Sequence, residues 1–514
     1  MGGGPQGPPP FISRTLNDVG RLRRFWFGDI DLAPVALFRI LYGLQLVNWF
    51  WQLLPNTRAF FTDEGILPRH QLVTFFPERI TLLNAFSEWW QVAIVCLLGC
   101  AASVALTIGW HTRAACVALF ALLISFQLRN PLMLDGSDLV FRAIPLWLVF
   151  TGAGDLYSVD ARLKRQPITG VGWAFPVRVL ELQVAWIYLA TGIEKLAGTK
   201  WINGTATYYA LQLEHTFGRW WARPVALQPV LTKMLSWGTL AVELGFLPLV
   251  MIPSSTMRIL AAVAAAGLHI GILLLMNVGN FPVIMLSALV LFMPPEWIRG
   301  FVDRVWPRVS NAVLARLPRR VRAEWDRFLA ATEPERTSQP RANRVSAMTR
   351  AVQVAALSAF AVLVFDTAVP RQLDAVRPSG DLGELVRSFS LDQRWDMFSP
   401  DPAQSDGWML GPAKLADGTT YDLYTRGPVD NTSERYSDPL YTRWAKVYER
   451  IANSAYGDYR LEYARYFCRE RNFHLRPGES PLDTFDLFYI ERVIRAPEEG
   501  PPVKNEYHLW QHKC

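Results

Sequence analysis

Apolar segments recur along this chain at about 34–53, 91–110, 114–130, 138–152, 179–197, 232–252, 258–276, 280–294 and 350–369. A helix needs roughly 20 such residues to cross the hydrocarbon core of a bilayer, and several of these segments fall a little short. No water is available there to bond backbone polar groups, so apolar runs of this length fold as helices. The pattern predicts an all-α polytopic membrane domain of about 8–9 transmembrane helices. Composition agrees, because 51% of the residues are hydrophobic and only 19% are charged, unlike an ordinary soluble domain.

The formal charge of +7 would also suit nucleic acid, but the basic residues cluster between the apolar spans. There they set topology and meet anionic head groups, so membrane lipids are the expected partner and nucleic acid is not. The Gly/Pro-rich opening reads as disordered. Residues 11–28, with Arg14, Arg21, Arg23 and Arg24 among apolar side chains, suit a helix lying on the membrane surface; together they make a unit over 1–33. The membrane domain is expected over 34–296, a basic linker over 297–349, a last span over 350–369 and a separate C-terminal domain over 370–514. Arg162, Lys164, Arg165 and Arg178, and the dense basic run at 299–350, fall on the same side as the N-terminus. That side should be cytoplasmic by the positive-inside rule, with loops 54–90 and 198–231 and the whole tail on the other face.

The tail changes character. Asp417-Gly418 reads as a hairpin turn between strands, and Leu440, Trp444, Val447, Ile451 and Ala455 share one face of a helical run. A small α+β extracytoplasmic domain follows from this. Cys96, Cys100 and Cys116 lie in apolar segments as packing residues, whereas Cys468 and Cys514 fall in the tail and can pair if it is exported. Asn203-Gly204-Thr205 and Asn431-Thr432-Ser433 are glycosylation sequons. GxxxxGK[ST], HExxH and GxSxG are absent, which argues against the chemistries those motifs carry.

Ionisable groups inside hydrocarbon are costly and mark functional sites by default. Glu181, Tyr188, Thr191 and Lys195 recur at helical spacing, as do Ser236, Thr239 and Glu243. Asp138 and Arg142 stand one turn apart, a spacing that allows an ion pair. His269 lies about 16 Å into its helix at 1.5 Å per residue. A cavity open to the outer face would gather Asp138, Arg142, Glu194, Lys195, Glu243 and His269. Arg39, in the inner third of the first span, reads as structural, within reach of the cytoplasmic surface by snorkelling. Lys195 itself has two readings: an interfacial anchor whose ammonium reaches water, or a buried base that abstracts a proton.

Several stretches resemble the horizontally transferred transmembrane (HTTM) domain family, which includes the vitamin K-dependent gamma-carboxylases. They are LFRILYGL at 37–44, FFTDEGILPR at 60–69, GIEKLAGTKWING at 192–204, WGTLAVELGF at 237–246 and GLHIGILLLMNVGNFPVIML at 267–286, with QRWDMFSPDP at 393–402 similar to a WxMFxPxP segment that follows the domain. The resemblance implies a carboxylase/epoxidase-like reaction in which a lysine deprotonates vitamin K hydroquinone, and the matching position is Lys195. Glu243 and His269 would support it, and Tyr188, Thr191, Asp138, Arg142 and Trp201 would surround the substrate. The carboxylases carry an Asn-His pair just before their fourth span; here Asp135-Gly136 stands in its place. The function expected is action on a quinone-like or other lipid-soluble substrate, with a protein substrate on the extracytoplasmic side. The rival is a non-catalytic assembly protein whose outer domain binds secreted or envelope clients. In either case Trp395, Met397, Phe398 and Pro400 are expected to dock the tail on the membrane domain rather than touch substrate.

Overall fold

The structure is a computed structural model that describes residues 20–316 apart from 77–78, 80 and 165–167, short pieces at 320, 322–324 and 327, and residues 347–367, 369, 391, 393–430 and 443–514. The first part of the surface helix, the TEPERTSQPRANR linker and the second sequon lie outside the described residues; helix is present over 20–27.

Each expected apolar segment lies on a helix. These are α1 (Ala33–Leu53), α2 (Trp89–Ile108), α3 (Thr112–Arg129), α4 (Gly136–Leu148), α5 (Ala174–Leu196), α6 (Pro229–Met251), α7 (Ser255–Leu275), α8 (Phe281–Ala288) and, after α9 (Pro295–Arg316), α10 (Ala347–Thr367). Local chemistry sets their ends. Glu88 and Gln91 form a capping box at the start of α2, and Gly109 ends it with φ 69°, a left-handed conformation that glycine adopts without strain. Asp135 caps α4, accepting from Ser137 N, while Asp138 accepts from the Asp135 N–H.

Five of these helices, α1, α2, α3, α6 and α7, are long and apolar enough to cross a membrane, and a sixth span arises if the pair Phe281–Phe292 and Pro295–Val305, bent by 115°, counts as one. The expectation of about nine spans met limits of length and charge in the other three. Helix α4 has 13 residues, about 20 Å of rise against a core of about 30 Å. Helix α5 carries Arg178, Glu181, Glu194 and Lys195, and the apolar part of α10 is Met348–Val362.

Neighbours in sequence pack on one another from α1 through α8, and α8 returns to α1 and α4. Phe38, Tyr42, Leu46, Trp49 and Phe50 of α1 are fully buried. Arg39 is fully buried too, and its Nη2 donates to Tyr157 O at 2.6 Å instead of snorkelling to the surface. The loop carbonyl is within reach of one arm of the guanidinium, while Nε and Nη1 stay buried without a hydrogen-bond partner.

The C-terminal domain is an antiparallel sheet with helices against it. Strand β4 (Leu482–Val493) pairs with β1 (Ser405–Leu410), β2 (Pro412–Leu415) and β5 (Val503–Lys513), and β2 also pairs with β3 (Thr420–Asp422). The β2–β3 turn is Asp417-Gly418, with Gly418 at φ 89°. The expected single helical face breaks in two. Val447 and Ile451 of α11 (Trp444–Ala452) are fully buried, but Asn453 adopts extended backbone, so Ala455 is exposed and α12 (Arg460–Asn472) starts afresh; Leu440 lies outside the described residues.

A disulfide joins Cys468 of α12 to Cys514. It closes a loop of sequence separation 46, and Cys468→Ser should lower the stability of this domain by about 2–4 kcal/mol through the added freedom of the unfolded chain. Chemical denaturation followed by β-sheet circular dichroism checks it: a midpoint unmoved by reduction would show that the bond constrains nothing.

The tail docks on the loops of one end of the helix assembly. Arg450 donates to Pro131 O at 2.6 Å and Leu134 O at 2.9 Å, Trp444 Nε1 to Asn56 Oδ1 at 3.2 Å, and Tyr208 OH to Arg495 O at 2.9 Å. Loops 54–75, 130–135 and 198–217 are thereby grouped with the tail.

Candidate functional site

Below the docked tail, α5, α6, α7 and α8 enclose a cavity of about 700 Å³, within the range of small-molecule sites. Its wall is mostly apolar, with Ile187, Val242, Leu268, Ile272 and Phe281 among the lining residues. Two polar pairs interrupt it. Lys195 Nζ donates to Glu243 Oε1 at 2.6 Å, and the Tyr188 hydroxyl shares a hydrogen bond of 2.7 Å with His269 Nε2. Tyr188 is held by stacking on Phe246 at 4.3 Å, and His269 sits edge-on to Phe281 at 5.8 Å.

Helical periodicity explains why these groups meet. Tyr188, Thr191 and Lys195 follow one another at i, i+3 and i+7 on α5, and Thr239 and Glu243 at i, i+4 on α6, so each helix brings one polar stripe to the cavity. The α5 stripe divides at its other end. Glu181 bonds Arg178 at 2.6 Å and Arg258 at 2.8 Å and takes no part in the cavity wall. Gly192 lets α6 approach: a Cβ there would meet Leu244 and Glu243 within 3.1 Å.

Lys195 is 3% exposed, so its amine is not the water-reaching anchor that was one of its two readings. A buried ion pair costs desolvation that its attraction only partly repays, and here one oxygen, Glu243 Oε2, has no hydrogen-bond partner, nor does His269 Nδ1. Both atoms belong to side chains of the cavity wall. Trp201 also lines it, its ring centroid 5.0 Å from Lys195 Nζ and its Nε1 donating to Phe398 O at 2.8 Å.

Asp138, Arg142 and Glu194 do not line this cavity. The ion pair expected between Asp138 and Arg142 is replaced by one to the tail: both Asp138 oxygens accept from Arg443, at 2.9 and 3.0 Å, and Oδ1 also accepts from Trp49 Nε1 at 2.7 Å. A guanidinium from 305 residues away presents two parallel donors, a geometry matched to a carboxylate.

The tail motif does more than dock. Trp395 is buried and bonds Gln393, which exchanges hydrogen bonds with Gln183 of α5, as docking required. Of the residues expected to dock, Met397 and Phe398 also form part of the cavity wall, with Asp396, Ser399 and Asp401 beside them. Asp401 Oδ1 accepts from Lys200 N at 2.8 Å, tying this roof to the turn after Lys195. Met397 occupies the space above Gly136: a Cβ built there would lie 2.7 Å from its sulfur. The tail methionine thus fills the space that a side chain at Gly136 would take. The motif's aromatic and apolar character was visible in the sequence, but its position over the cavity had no local signal. Asp135, Asp396, Lys446 and Glu449 make the end of the cavity beneath the tail polar.

A family model described as "HTTM domain" matches residues 27–297. An uncharacterized protein of Bacillus subtilis (strain 168), YitO, is 26% identical over 225 residues, covering 42% of this chain and 68% of that protein. No solved structure matches the chain.

Proposed function

The chain belongs to the HTTM domain family, and from that premise we propose that its cavity binds a lipid-soluble, hydroquinone-like molecule whose hydroxyl proton is taken by Lys195 and Glu243 acting together. The observation that carries this reading is the Lys195–Glu243 pair, 2.6 Å apart in a mostly apolar cavity. As a unit the pair has no net charge, and uptake of one proton leaves it cationic beside the anion just formed. The apolar wall keeps water from competing for either charge. Tyr188 and His269, bonded to each other, position the polar head on the other side, and Trp201 holds the face near Lys195.

A hydroquinone fits these residues: its ring matches the apolar wall, and its hydroxyls match Glu243 Oε2 and His269 Nδ1, two buried side-chain atoms of that wall without hydrogen-bond partners. When bound, such a group supplies an acidic hydroxyl and reducing equivalents. The reading also places the membrane domain with the tail on the extracytoplasmic face, as the loop charges favour, so that any peptide partner would approach from the polar end of the cavity.

A redox-inert analogue tests it without turnover. A 2-alkyl-1-naphthol bound to the protein in nanodiscs should show the naphtholate spectrum near neutral pH, and Lys195→Gln should lower the naphtholate fraction by roughly tenfold. Lys195→Met/Glu243→Leu, which removes the pair without stranding a charge, should bind the naphthol in neutral form. Equal naphtholate in wild type and both variants, or no binding to wild type, would remove the proposed role.

A further inference from the structure

Three glycines stand in the cavity wall where packing does not ask for them. Glycine inside a helix costs about 1 kcal/mol relative to alanine, and in membrane helices it is usually repaid by close helix contact. Gly43 follows that rule, since a Cβ there would meet Thr107 at 2.3 Å. Gly238 of α6 and Gly267 and Gly271 of α7 do not: a Cβ at any of them meets nothing within 4 Å. Gly238 and Gly267 are exposed, as is Ala264, yet all three residues line the cavity. The cavity therefore opens sideways between α6 and α7.

That opening faces lipid. Both helices are candidate spans, and the residues around it, Met234, Trp237, Val263, Ile270 and Leu274, are exposed and apolar. Inside lie the unpartnered Glu243 Oε2 and His269 Nδ1, each on a side chain at least nine-tenths buried. A polar end inside, an apolar passage and a hydrocarbon exterior define an amphiphile.

We propose that the molecule held at Lys195 and Glu243 carries a hydrocarbon tail that leaves the cavity sideways between α6 and α7, past Gly238, Gly267 and Gly271, into the acyl region of the bilayer. The inference rests on the cavity being a ligand site, as read above, and is independent of proton transfer at Lys195. The passage makes the bilayer both the source of the ligand and the solvent of its tail. Tail length then contributes little to specificity, which is set by the head. Gly267-x-x-x-Gly271 has the spacing two helices use to associate, but these residues line a cavity instead of forming a flat face, which favours the tail over a second copy.

A long-chain alkylphenol carrying a diazirine midway along its chain, placed in nanodiscs with the full chain, is the probe. On irradiation, adducts are expected on Val242, Leu268 and Ile272, located by mass spectrometry. Gly238→Leu/Gly267→Leu fills open space without a clash and should reduce these adducts about tenfold, while adducts on the outward Val263 and Leu274 persist. Labelling confined to outward residues in wild type, equal interior labelling in the variant, or a Gly267→Cys chain that cross-links to a second copy under oxidation would each overturn the proposal. Intact interior labelling with no naphtholate in the preceding experiment would leave the passage standing and remove only the base.

Discussion

Replacing Lys195 with methionine is expected to destabilise the protein by about 3–5 kcal/mol, because it strands the Glu243 carboxylate in a buried apolar site. Glu243 is 7% exposed and its Oε1 takes its hydrogen bond from Lys195, with Oε2 already unpartnered. Glu243→Leu should cost about as much by stranding the ammonium, although the Trp201 face 5.0 Å away offers that charge partial relief. The double replacement Lys195→Met/Glu243→Leu should regain most of the loss, since a buried ion pair exchanged for apolar groups of similar volume is often neutral in stability. The four proteins form a double-mutant cycle, read by thermal unfolding in nanodiscs. Strict additivity would mean that the two groups do not share a charge and that Lys195 is held by something else. The cycle also separates fold from function: the double variant keeps its structure and loses its proton acceptor.

Arg443→Met is expected to have an effect of similar size, about 3–5 kcal/mol, at the joint between tail and membrane domain. Asp138 is 1% exposed and loses two charge-assisted hydrogen bonds, keeping those from Trp49 Nε1 and the Asp135 N–H. The damage should spread to the cavity, because Asp138 belongs to the cap of α4, next to Gly136 and the Met397 that covers it. Limited proteolysis should cut the tail faster in the variant. Arg443→Met/Asp138→Asn should recover most of the stability, since the asparagine oxygen still accepts from Trp49 and nothing charged is left behind. Unchanged proteolysis in Arg443→Met would show that the joint is carried by the other contacts, such as those of Arg450.

Much of the architecture was legible because its signals are local. An apolar run of bilayer length makes a helix wherever it is placed, and the Asp417-Gly418 turn needs only its own residues and the two strands beside it. Spacing on α5 and α6 likewise put Tyr188, Thr191 and Lys195, and Thr239 and Glu243, on common faces. Span number was harder to read. A short helix such as α4 and a charged one such as α5 are sheltered by neighbours that hydropathy does not see.

By itself, then, the order of residues determined the helices, the hairpin, the polar stripes and the family. Only the tertiary structure decided who meets whom. Lys195 meets Glu243 across 48 residues and Asp138 meets Arg443 across 305, and neither spacing is periodic in anything. The obvious local partner of Asp138, Arg142 at i+4, lost to a guanidinium delivered by another domain. Met397 came to rest over Gly136 for the same reason: a missing side chain leaves a space, and which residue fills it depends on how distant segments pack. Helical periodicity sets the direction in which a side chain points, while helix crossing and domain docking set what stands opposite.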